Sequence, residues 1–123
     1  MSWFFAILAV GLACAIWGIA IERYLFVIRR ETVKILPVNS TPITVLHIGD
    51  LHIAPWQKRK LAWSKQLGEL SPDLVVNTGD NLGHVAAIGP TLTALKPLLE
   101  RTGVFVNGSN DYYAPVARNP LAY

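Results

Sequence analysis

Three short polar pieces of this chain carry the residue types that bind divalent metal ions: Asp50-Leu-His52, Gly79-Asp80-Asn81 and Gly108-Ser109-Asn110-Asp111. Carboxylate, imidazole and amide oxygen are the donors that hard or borderline divalent cations take, and two such cations side by side form a centre that hydrolyses phosphate esters. A donor set of this kind works when its members converge on one point. Each piece follows directly on a short apolar run, at residues 43–48, 74–78 and 104–106, two of them rich in β-branched residues. These runs read as strands. Ligands collect at the carboxyl ends of strands in an α/β sheet, because the chain leaves the sheet there with its polar groups free.

The segments between the strands supply the helices that must hold them in place. Residues 57–70 turn to helical spacing, with Trp56, Trp63, Leu67 and Leu70 on one stripe and Lys58, Arg59 and Lys65 largely off it. Ser71-Pro72 stops that helix. Residues 74–76 form a continuous apolar run, as expected for a strand covered on both faces. A second helix is expected from about Pro90 to Glu100, with an apolar stripe of Leu92, Leu95, Leu98 and Leu99, a kink at Pro97 and a cap at Gly103. The order strand, helix, strand, helix, strand implies a parallel α/β sheet with right-handed crossovers. Residues 112–123, with Pro115 and Pro120, show no periodicity.

The ordered trio resembles the calcineurin-like metallophosphoesterases, whose motifs run D-x-H, then G-D, then G-N-H-D or G-N-H-E, and later a lone His and G-H-x-H. Asp50-Leu-His52 matches the first, Gly79-Asp80 the second, and Gly108 with Asp111 the ends of the third. The resemblance implies the amino-terminal half of an αββα sandwich, with the later His motifs absent and the chain expected to be truncated. It implies that Asp50 and His52 bind one ion and that Asp80 bridges to a second, the pair being Mn, Fe or Zn. The third motif departs from the family. Ser109 stands at the metal-binding Asn, and Asn110 at the His that assists the leaving group. A hydroxyl is the poorer ligand, so Asn110 is expected to supply the second metal, with Ser109 as the alternative. Neither residue titrates near neutral pH, which leaves general-acid assistance without an obvious group.

Two other histidines are weaker candidates. His47 lies within the first strand, on the face opposite Ile48, and reads as a packed, hydrogen-bonded residue. His84 is a loop histidine near Asp80 that reads as solvent-exposed. Lys58-Arg59-Lys60 reads as a solvated helix face.

Residues 3–21 contain no charged side chain. At about 1.5 Å per residue they span about 28 Å, close to the roughly 30 Å hydrocarbon core of a bilayer. Trp3 and Tyr24 sit where interfacial aromatics sit, and residues 25–28 could continue the helix. A signal peptide would need a basic amino-terminal region that is absent here, although Ala13-Cys14-Ala15 has the form of a cleavage triplet. The division expected is a transmembrane anchor at 1–28, a linker with Pro37 and Pro42 at 29–42, and the amino-terminal part of the phosphoesterase domain at 43–123. Arg23, Arg29, Arg30 and Lys34 follow the apolar run, so the positive-inside rule puts the soluble part in the cytoplasm.

Cys14 is the one cysteine, so no intrachain disulfide forms. The net charge of +3 comes with basic residues near the membrane and no aromatic-basic interleaving, which speaks for lipid contact and against nucleic-acid binding. The expected function is a membrane-anchored, dinuclear metal phosphoesterase acting on a phosphate mono- or diester, with the chain itself expected to be inactive. The alternative is a non-catalytic, membrane-tethered binding or regulatory protein with a degenerate metal site, or a nonfunctional truncation product. Oligomeric state is not legible.

Overall fold

A computed structural model describes residues 2–114, so the aperiodic tail from Pro115 onward lies outside the described residues. The chain divides into two compact units, Met1–Thr32 and Val33–Tyr123.

The first unit is one helix, α1 (Ser2–Ala20), followed by a 3-10 turn at Glu22–Tyr24. Its large apolar side chains are exposed, Trp3 at 82% and Ile7 at 72%, and it is long and apolar enough to cross a membrane. The expected continuation through residues 25–28 does not form. The helical hydrogen bonds end with Leu25 N–H on the carbonyl of Glu22. Arg23 places its guanidinium 5.1 Å from the centroid of the Tyr24 ring.

In the second unit, β1 (Val45–Ile48), β2 (Leu74–Asn77) and β3 (Gly103–Phe105) form a parallel sheet in the order β1-β2-β3. Ile48 pairs with Asn77 and Asn77 with Phe105, so the carboxyl ends of the three strands lie level. Between the strands run α2 (Lys58–Gln66), extended by a 3-10 turn at Leu67–Leu70, and α3 (Ile88–Leu99), which pack on each other. The core is Ile48, Leu67, Val75, Leu95 and Leu98, with Leu46, Leu51, Trp63 and Leu70 against it.

Three packing expectations are corrected. Trp56 precedes α2 and is 56% exposed, because Gln57 N–H bonds back to Ala54 and turns the chain there. The buried stripe of α3 is Thr91, Ala94, Leu95 and Leu98, whereas Leu92 and Leu99 are exposed. α3 comes close to the turn after α2: Gly68 lies so near Pro97 that a Cβ there would collide with the proline ring. Finally, β2 is less covered than a two-sided strand would be, with Leu74 and Val76 half-buried. Gly103, expected as a helix cap, is the first residue of β3.

Candidate metal centre

The loops that leave the three strands are stitched to one another by backbone. Thr78 N–H donates to the carbonyl of Ile48 at 2.9 Å, Asp50 N–H to Gly79 at 2.8 Å, His52 N–H to Asp80 at 3.0 Å and Ile53 N–H to Asn81 at 2.8 Å. The first and second motifs therefore travel side by side beyond the end of the sheet. Val106 N–H donates to the carbonyl of Asn77 at 3.0 Å and brings the third motif alongside.

This path demands unusual backbone. Asp50, His52 and Asp80 have φ of 51°, 42° and 53°; among the described non-glycine residues, Asn39 and Ser71 alone share that left-handed region. Asp and His tolerate it better than most side chains, yet each such residue costs on the order of 1 kcal/mol. Gly79, at φ 88°, relieves the tightest point. A Cβ there would strike Gly108 N and lie 2.8 Å from the carbonyl oxygen of Val106. A Cβ on Gly108 would in turn strike the carboxylate of Asp80. The glycine of each motif is the space into which the other fits.

The result brings three donor atoms together. One each from Asp50, His52 and Asp80 lie within 4.8 Å of one another. His52 Nε2 is 3.9 Å from Asp50 Oδ1 and 3.9 Å from Asp80 Oδ2. A tetrahedral ion with donors about 2.1 Å away would set them about 3.4 Å apart, roughly half an ångström closer than the two His52 separations and over an ångström inside the 4.8 Å limit. Small side-chain rotations close that gap, and Asp50, with its side chain 81% exposed, is free to make them. Two carboxylates and one imidazole suit Mn, Fe or Zn, so the residues present fit one divalent ion.

Around the donors is a polar frame. Asp80 Oδ1 accepts from Asn110 N–H at 2.9 Å and lies 3.5 Å from Ser109 Oγ. Asn110 does not extend its amide away from the first site. Its Nδ2 lies 2.8 Å from His52 Nδ1, the ring nitrogen turned away from the carboxylates.

Asp111 was legible as the end of a motif, but its work was not. Its Oδ1 accepts from the N–H groups of Asn81 (2.9 Å) and Leu82 (3.2 Å), while Oδ2 accepts from Gly108 N–H (3.0 Å). One carboxylate thus ties the second motif to the third. Asn77 was missed altogether. It is buried at the end of β2, accepts from Gly79 N–H at 2.9 Å and exchanges amide hydrogen bonds with Asn81. The signal available in the sequence was an amide in an apolar strand, four residues before a second amide.

The remaining histidines lie outside the cluster. His47 is exposed rather than packed, because its face of β1 is open, and its Nε2 meets Thr78 Oγ1 at 3.1 Å. His84 is half-buried: Nδ1 accepts from Ala86 N–H at 3.0 Å, and the ring stands edge-on to Trp56 at 5.3 Å. Lys60 is not simply solvated, since Nζ donates to the carbonyl of Leu51 at 2.9 Å, inside the first motif.

A family model described as calcineurin-like phosphoesterase matches residues 43–123. No curated protein and no solved structure matches the chain.

Proposed function

The chain belongs to the calcineurin-like phosphoesterase family, and from that membership we propose that Asp50, His52 and Asp80 hold a divalent metal ion for the hydrolysis of a phosphate ester. The observation that carries this reading is the approach of the three donor atoms to within 4.8 Å of one another. An ion bound there supplies Lewis acidity, neutralising charge on phosphoryl oxygens and lowering the pKa of a coordinated water. The protein's part is positional. Backbone pairing between the first two loops holds His52 and Asp80 side by side, and the third loop fixes the rotation of the Asp80 carboxylate through Asn110 N–H.

The second ion that the resemblance implies has thinner support. It would rest on Asp80 Oδ1, already a hydrogen-bond acceptor, and on the Asn110 amide or the Ser109 hydroxyl. Three protein donors leave the rest of an ion's coordination to water, so weak binding and slow hydrolysis are expected of these residues alone. Helix α1 supports anchoring to a membrane, and the basic residues after it support a cytoplasmic soluble part. Substrate would then be met near a bilayer, as a phospholipid or lipid-linked phosphate would be.

Titration of the full chain in detergent with Mn²⁺ or Zn²⁺ tests the centre. Binding should weaken at least about tenfold in Asp80→Ala, and any hydrolysis of bis-p-nitrophenyl phosphate should vanish with EDTA. Metal binding undiminished in Asp80→Ala, or hydrolysis indifferent to chelator, would defeat the reading and favour a non-catalytic binding protein.

A further inference from the structure

The amide of Asn110 meets the imidazole of His52 at the one ring nitrogen that cannot reach the carboxylates. Nδ2 of Asn110 is 2.8 Å from Nδ1, whereas Nε2 faces Asp50 Oδ1 and Asp80 Oδ2 at 3.9 Å each. This contact spans 58 positions of chain and is held from the backbone. Asn110 N–H is bonded to Asp80, and its neighbour Asp111 is bonded to Asn81, Leu82 and Gly108. The amide is therefore presented to the ring from a fixed point.

A neutral imidazole has one N–H and one lone pair. If Nε2 gives its lone pair to a cation, the proton resides on Nδ1 and needs an acceptor there. If the proton is on Nε2, Nδ1 needs a donor. A carboxamide is both, and a half-turn about its terminal bond exchanges Nδ2 for Oδ1. The observed orientation, with Nδ2 toward the ring, does not serve a double duty. Were Asn110 Oδ1 bound to a second ion while Nε2 held the first, Nδ2–H and Nδ1–H would face each other as two donors at 2.8 Å.

We propose that Asn110 is a positioning residue that sets the tautomer of His52, accepting from Nδ1–H through Oδ1 when Nε2 binds a divalent cation, and that it is not itself a ligand of a second ion. This rests on the metal-centre reading above. The proton balance is closed: the imidazole stays neutral, and its proton passes by way of solvent from Nε2 to Nδ1. The residue that departs most from the family motif thus acts on the motif that matches it best.

Calorimetric titration with Zn²⁺ of the full chain in detergent, together with ¹⁵N NMR of the His52 ring, tests this. Saturation with Zn²⁺ should place the His52 proton on Nδ1. Asn110→Ala should lower Zn²⁺ affinity about 10–100-fold, with thermal stability nearly unchanged because the backbone bond to Asp80 survives. Asn110→Asp, which keeps an acceptor, should restore affinity to within about threefold. Wild-type affinity in Asn110→Ala, or a His52 proton that stays on Nε2 under saturating Zn²⁺, would overturn the role. So would a wild type that binds two ions and loses just one in Asn110→Ala, with the other's affinity unchanged. Failure of the wild type to bind Zn²⁺, or equal binding by Asp80→Ala, would remove the metal centre itself and this role with it.

Discussion

Helix α1 and the loops at the carboxyl ends of the sheet are specified in opposite ways. In α1 the large apolar side chains stand exposed, and length and the absence of charge are what matter. In the loops nearly every residue has one role at one place. Asp80 fits where Gly108 has no side chain, Gly79 turns where Val106 and Gly108 crowd it, and Asp111 gathers amides from two loops. The contrast teaches that an apolar helix defined by length and composition is robust, whereas a donor cluster is fragile because its geometry is built from strained turns.

The largest effect that would break the contrast is a single charge in α1. Leu12→Arg, near the middle of the apolar stretch, should cost about 3 kcal/mol of membrane insertion and move the chain out of the membrane fraction. Val10→Arg and Ile16→Arg should do much the same. A strong dependence on which of the three is changed would mean that α1 has a specific protein partner.

Gly79→Ala should come next, costing about 2 kcal/mol in thermal unfolding, from a φ of 88° that alanine resists and from contact with the carbonyl of Val106. Metal affinity should fall with it, since the same shift displaces Asp80. Ala substitutions within α1 should show neither effect.

Asp111→Asn sharpens the contrast inside the loops. An amide has one acceptor oxygen, so either Asn81 and Leu82 or Gly108 would face an NH₂ group; the expected cost is about 1–2 kcal/mol. Equal stability of the variant would mean that the carboxylate's bonds are dispensable. The smallest effect is expected when the order of residues 4–20 is shuffled at constant composition. Insertion should change by less than about 0.5 kcal/mol, and a cell-fractionation assay should find the chain still in the membrane.

Much of the second unit was legible because its signals are local. Short apolar runs marked β1, β2 and β3, and glycine followed by a polar residue marked the turns that leave them. Several errors arose where a choice depended on tertiary neighbours, although Trp56 was misread because of a local turn. Leu92 and Leu99 have the composition of a core stripe, yet Thr91 and Ala94 take buried positions on α3 beside Leu95 and Leu98. His47 alternates correctly within its strand, but nothing in that alternation says whether its face is covered. Asn77 reads as a strand end, and its partner, Asn81, lies across a turn that has to form first.

By itself the sequence determined the order of the motifs, the chemistry of the donors, the alternation of strands and helices and the apolar length of α1. These follow from covalent order and short periodicities, which need no fold to exist. The tertiary structure alone decided which atom faces which: Nε2 of His52 toward two carboxylates, Nδ1 toward Asn110, and Asp111 between two loops. The Asn81–Asp111 and His52–Asn110 contacts join residues 30 and 58 positions apart. Their geometry depends on three left-handed turns whose cost only the closed network of hydrogen bonds can sustain.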